Sequence, residues 1–154
     1  MTQSVSEFLP PRRINLHLAA NDKTEAIESV LTLLSGDPCV RDFDELRTAI
    51  FKNDAPVVAE DGCALIIAHA RTESVMRLVL AVGRPLTPFL IPECPSPVIL
   101  VFVAGIPGAF NSSYLRTIGS IARICKNPHD RQRLMTATTP AAFSSIIGEA
   151  GKKL

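Results

Sequence analysis

The order of apolar and polar positions divides the chain into segments of two different periods. Ile14, Leu16 and Leu18 alternate with Asn15 and His17, which predicts a half-buried strand, because residues i and i+2 share one face of a sheet. The period then lengthens. Ala26, Ile27, Val30, Leu31 and Leu34 make a helical stripe behind the capping-box spacing Asp22-x-x-Glu25, and the stripe stops at Ser35-Gly36. The same spacing at Asp42-x-x-Glu45 opens a second helix with Phe43, Leu46, Ile50 and Phe51 on one face, ending at residues 52–54 before Pro56. Three strand-like runs follow, at residues 63–67, 76–82 and 98–104. The last is apolar throughout, which predicts a central strand covered on both faces. Pro85, Pro88, Pro92, Pro95 and Pro97 mark an irregular connection before it, with a short extended piece at residues 89–91. Gly105-Ile106-Pro107-Gly108 breaks the third run. A helix from Ser112 to about Cys125 turns Leu115, Ile118, Ala122 and Cys125 inward. Asn127-Pro128 and Thr139-Pro140 each read as an N-cap followed by proline at the first helical position.

Strand, two helices, three strands and three helices predict one layered α/β unit, and 154 residues suit a single domain. Residues 1–12, with Pro10-Pro11 and no periodicity, predict a flexible N-terminal arm ahead of a domain at residues 13–154. Sixteen Lys+Arg against fifteen Asp+Glu leave a net charge of +1, with no basic run, so no nucleic-acid partner is expected. The longest apolar run, residues 98–104, is too short to span a bilayer, and the first residues lack the pattern of a signal peptide. The expectation is a cytoplasmic protein with no direct membrane insertion. Cys39, Cys63, Cys94 and Cys125 form no C-x-x-C pair, so neither a metal nor another cofactor is predicted. Cys63 and Cys125 lie in apolar patterns and read as core residues; Cys39 and Cys94 lie in proline-flanked loops, where exposure is open to them.

The three histidines differ in context. His17 alternates with leucines in a strand and reads as structural, and His129 sits among Asp130, Arg131 and Arg133 as a solvated surface residue. His69 follows the apolar run at the point where buried strand turns to loop, and strand ends in α/β sheets are common ligand sites. If the chain stays extended through Ala70, His69 and Arg71 point to the same side. A neutral imidazole nitrogen can attack phosphorus without a metal, and a guanidinium offers two donors to phosphate oxygens. Asn111, Ser112, Ser113 and Tyr114 open the late helix, whose N-terminus favours an anion and whose hydroxyls add donors; the simpler alternative is a cap, an exposed serine and a tyrosine packed at the rim.

The run Ile14-Asn15-Leu16-His17-Leu18-Ala19-Ala20, then Asp22-Lys23-Thr24-Glu25-Ala26, Asp42-x-x-Glu45-Leu46 and Gly62-Cys63-Ala64-Leu65-Ile66-Ile67-Ala68-His69-Ala70-Arg71 resembles the enzyme IIA domain of the phosphotransferase system, fructose/mannitol type, including its nitrogen-regulatory branch. Residues 97–104 are similar to that family's central strand and Tyr114-Leu115-Arg116-Thr117-Ile118 to its next helix. The resemblance implies a three-layer α/β/α sandwich around a mixed sheet. It also implies a phosphoryl carrier in which the histidine at His69 takes phosphate from an HPr-type phosphocarrier protein, for sugar transport or nitrogen and metabolic regulation, and passes it to a IIB component or marks a regulatory target. Arg71 would be the charge partner, with Tyr114, Ser113, Ser112 and Lys52 stabilising phosphate. The chain departs from the family where proline usually precedes the histidine (Ala68), where an Arg-Glu pair lies upstream (Lys52-Asn53), and where a second histidine stands (Tyr114). A lysine does not reproduce an arginine's planar fork, and a phenol carries no positive charge. Glu60 and Asp61 oppose anion binding if they face the phosphate. A second reading is therefore a diverged IIA fold, impaired in phosphotransfer, that acts by protein–protein binding. A small-molecule enzyme has little support, since no Gly-rich phosphate loop, Ser-His-Asp set or paired carboxylates stand out.

Overall fold

A computed structural model describes residues 5–108 and 112–154. Its sheet begins with the predicted alternating strand, β1 (Ile14–Leu18), with Ile14, Leu16 and Leu18 buried and His17 exposed. Helix α1 (Lys23–Leu31) starts where Asp22 Oδ1 accepts from the Glu25 N–H. Glu25 reaches back to the N–H of Asn21, one residue before the position a strict capping box uses. Helix α2 (Phe43–Lys52) is capped in the same way by Asp42 on the Glu45 N–H. There follow β2 (Val57–Glu60), β3 (Cys63–Thr72), β4 (Val79–Pro85), β5 (Phe89–Ile91) and β6 (Cys94–Pro107). The chain closes with α3 (Ser112–Lys126), α4 (Pro128–Thr136) and α5 (Pro140–Gly151), the last two entered through Asn127 and Thr139 caps followed by proline.

The sheet has the order β1-β4-β6-β3-β2, with β5 pairing β6 beside this path. β3 runs parallel to β6 and β1 parallel to β4, whereas β4 and β6, and β2 and β3, are antiparallel. The sheet is therefore mixed, and β6 is its centre, buried without interruption from Val98 to Ile106. Alternation along β3 and β6 divides the core in two. Leu65, Ile67, Leu100, Phe102 and Ala104 face the α3–α5 layer, while Ala64, Ile66, Ala68, Val101 and Val103 face α1 and α2. A layer of helices on each face of one sheet is the expected three-layer α/β/α sandwich.

Five expectations change, the first being that β6 runs on through Gly105 and Ile106 to Pro107 instead of breaking at Gly105. Residues 5–13 are not a loose arm: two 3-10 turns, Val5–Phe8 and Pro11–Arg13, carry Val5, Phe8 and Leu9 into the core. The buried Arg13 guanidinium clamps Asp37 at 2.8 and 2.9 Å and also donates to the Phe8 carbonyl. A short apolar cluster of this kind has no period to detect. Residues 76–78 lie outside β4, because the loop there is tied to the Cys39 segment by the Met76 N–H and a Val40–Val75 bridge. On α3 the buried stripe runs through Thr117, Ile118, Ile121, Ile124 and Cys125, a phase set by Tyr114 rather than Leu115, and Leu115 is 45% exposed. Cys94 is buried at the start of β6, and the prolines at 95 and 97 lie within that strand instead of in the connection before it. β2, four residues long, carries no pattern of its own; the Asp61-Gly62 pair that joins it to β3 has φ of +49° and +79°, the geometry of a tight two-residue hairpin.

Candidate functional site

β3 stays extended to Thr72, so His69 and Arg71 do share the face already defined by Leu65 and Ile67. His69 lies opposite Ala104, and Arg71 opposite Ile106, at the end of both parallel strands. The His69 ring is partly buried and Arg71 is exposed. Nδ1 of His69 lies 3.1 Å from the carbonyl oxygen of Ile67. A carbonyl can only accept, so Nδ1 carries the hydrogen and Nε2 keeps the lone pair. One nitrogen is thereby committed to holding the ring, and the other is left outside that bond.

The rest of the predicted set divides between the two faces. Tyr114 belongs to the α3 layer on the His69 face, where its ring meets Phe8 edge-on at 6.0 Å and 89°. The guanidinium of Arg77 stacks on the same phenylalanine at 5.6 Å. Tyr114 is thus packed at the rim, against a residue of the N-terminal segment expected to be a loose arm. Asn111 and the side chains of Ser112 and Ser113 lie outside the described residues. Lys52, at the end of α2, does not join His69's face. It lines a cleft of about 790 Å³ with Glu45, Thr48, Asn53, Thr72 and Glu73, and Arg71 reaches the same cleft from β3. Ala68, where the family has proline, is buried against α2's side of the sheet.

Glu60 pairs with Cys63 and Asp61 turns beside it at the opposite end of β3, which lies about 20 Å along the strand from His69. The Asp61 carboxylate accepts from Arg131 at 3.2 Å, and Arg131 also donates to the Cys125 carbonyl at 2.9 Å. Neither carboxylate faces the imidazole, so the objection they raised falls away. Next to this pair, burial pushes the Cys125 thiol up to about 12 and also raises that of Cys63, which keeps both sulfurs protonated. Among the described residues no three His, Cys, Asp or Glu side chains converge as metal ligands, and no helix is long and apolar enough to cross a membrane.

Residues 7–150 match the family described as Phosphoenolpyruvate-dependent sugar phosphotransferase system, EIIA 2. The chain is 23% identical over 149 residues to the PTS system fructose-specific EIIABC component of Bacillus subtilis (strain 168), spanning 96% of this chain and 24% of that protein. It is 23% identical over 146 residues to the PTS system fructose-specific EIIA component of Haloferax volcanii, spanning 94% of this chain and 95% of that protein. Among solved structures, nitrogen regulatory protein IIA-Ntr from Neisseria meningitidis superposes with a TM-score of 0.78 at 21% identity, over 93% of this chain and 98% of that one. Enzyme IIA mannitol of Escherichia coli, in its complex with phosphorylated enzyme IIB, gives 0.67 at 15% identity, over 92% and 97%. These likenesses are of fold. Since the family match takes in both helical layers, the whole sheet and His69, the chain belongs to the EIIA 2 family of the phosphoenolpyruvate-dependent sugar phosphotransferase system.

Proposed function

We propose that this protein is a phosphoryl carrier and that Nε2 of His69 is the acceptor atom. The observation that carries the reading is the Nδ1 bond to the Ile67 carbonyl, which leaves the lone pair of the neutral ring on Nε2. In the transfer, Nε2 attacks the phosphorus of a phosphohistidine on an HPr-type donor as the donor's N–P bond breaks, and the bonding pair returns to the donor ring. The positive charge gained by His69 spreads to Nδ1–H, where the Ile67 carbonyl oxygen opposes it. Arg71, two residues on and on the same face, supplies a guanidinium to the phosphoryl oxygens. Tyr114 adds a neutral donor on the α3 side, and the N-terminal end of α3 favours the dianion. Lys52 acts at longer range, through the cleft it shares with Arg71. The second transfer is the reverse attack, by the nucleophile of a IIB component or toward a regulatory target. The reading puts the chain in the cytoplasm, where phosphoenolpyruvate-driven donors act.

The test is incubation with phosphoenolpyruvate, enzyme I and an HPr-type carrier. The expected product is an acid-labile adduct whose phosphorus-31 signal belongs to an Nε2-linked phosphohistidine. Absence of any adduct, under conditions that label another EIIA 2 domain, overturns the proposal.

A further inference from the structure

β2 and β3 pair in the register Val57–Ile66, Val58–Leu65, Ala59–Ala64 and Glu60–Cys63. One step further along the ladder, Pro56 stands opposite Ile67, and the Ile67 N–H donates to the Pro56 carbonyl at 3.0 Å. At a hydrogen-bonded antiparallel pair each residue normally gives its N–H to the other's carbonyl. Here only half of the exchange is available, because proline has no N–H. The carbonyl of Ile67 is left at the strand edge without the amide that the ladder would have supplied. That is the oxygen 3.1 Å from Nδ1 of His69.

We infer that Pro56 sets the tautomer of His69: by withholding a backbone N–H from the Ile67 carbonyl, it reserves that oxygen for Nδ1–H and so keeps Nε2 as the nucleophilic nitrogen. Any other residue at position 56 brings an amide hydrogen into competition for the same acceptor. The competing amide would be delivered to the right place, since the main chain there is held from both sides. Ile67 binds the Pro56 carbonyl, and Lys23 Nζ binds the Ala55 carbonyl at 2.9 Å. Pro56 itself is exposed, so its ring contributes little packing, and the missing hydrogen is what distinguishes it from other residues at that position. Pro56 is a positioning residue: it acts on the ring through Ile67 and needs no contact with phosphate.

The inference rests on the reading of His69 as phosphoryl acceptor, yet its test reads the unphosphorylated ring. Histidine-labelled nitrogen-15 protein, observed by long-range proton–nitrogen correlation near pH 8 so that a free imidazole is neutral, reports which ring nitrogen of His69 bears the hydrogen. Wild type is expected to be in the Nδ1–H form. In Pro56→Ala the ratio of Nδ1–H to Nε2–H is expected to fall about fivefold, the population change set by a hydrogen bond of ordinary net strength. A third protein, with lactic acid incorporated at position 56, has an ester oxygen in place of the N–H and no proline ring; it is expected to keep the wild-type ratio. An Ala variant with the wild-type ratio overturns the inference, as does a lactic-acid variant that shifts as far as Ala. Initial phosphorylation rates should follow the same order. If tautomers shift as expected while wild type takes no phosphate, the carrier reading fails and the inference about Pro56 stands.

Discussion

At its Cys63 end β3 enters from a hairpin in which backbone and charge are both answered, and at its His69 end it outlasts β2 and is paired with β6 alone. The hairpin pairs Glu60 with Cys63 across Asp61-Gly62, and Arg131 joins the Asp61 carboxylate to the end of α3 through the Cys125 carbonyl. At the other end the ladder with β2 gives out at Pro56, the Ile67 carbonyl turns to a side chain, and Arg71 stands exposed beside a cleft. One strand thus has a segment laddered on both sides and a segment laddered on one, whose free side is met by the His69 ring. The two are separable because an antiparallel ladder stabilises residue by residue. Stopping it early costs only the bonds beyond the stop.

The comparison breaks most completely at His69. His69→Ala should remove all acid-labile phosphate while leaving the urea midpoint near that of wild type, and residual labelling of the variant would move the acceptor elsewhere. Next comes the ion pair that closes the same end of the sheet on the β1 side. Asp37→Ala strands the buried Arg13 guanidinium and should cost about 3–5 kcal/mol in urea unfolding. Burial alone would raise the Asp37 carboxyl, but bonds from Arg13 and the Cys39 N–H, together with the charges of Arg13 and Arg12, outweigh it and hold it below its ordinary value. A depressed carboxyl adds stability above the unfolded value of about 3.9 and loses it as pH falls through the folded one. Urea midpoints measured downward from pH 5 should therefore drop in wild type and drop less in Asp37→Asn.

The hairpin end should respond in stability alone. Gly62→Val forces a branched residue into φ +79° and should cost about 1–2 kcal/mol, with phosphorylation per folded molecule unchanged. A loss of phosphotransfer beyond the loss of folded protein would mean that the two ends of β3 are coupled. The smallest effect belongs to Asp61→Asn. The Asp61 carboxylate is half exposed, so the loss should stay below about 1 kcal/mol and shrink further in salt, as thermal melts at two ionic strengths would show.

What the sequence made legible follows from the range of each signal. Caps at Asp22, Asp42, Asn127 and Thr139 are local, and all four bind the N–H they were expected to bind. The apolar run of β6 marks a central strand because only such a strand has two covered faces. β2 escaped because four residues carry too little pattern, although Asp61-Gly62 was a usable hairpin signal. The burial of Val5, Phe8 and Leu9 depends on a partner 24 residues from Arg13 and on α5, which no local window contains. The site divides in the same way. His69 with Arg71 was readable from strand alternation, but the assignment of Lys52 to the other face needed the packing of α2. The proline opposite Ile67 needed the register of β2, whose four residues carry no pattern of their own.

The protonated sulfur of Cys125 offers a clock. Burial pushes its thiol well above the usual range, so the thiolate is scarce at neutral pH while the helical layer stays closed. Alkylation at that atom must wait for α3 to lift from the sheet. The rate at which a small iodoacetamide marks it therefore times the breathing of the layer that carries Tyr114, and the same clock run with and without phosphate on the protein would show whether a charged group at one edge slows the opening of the other.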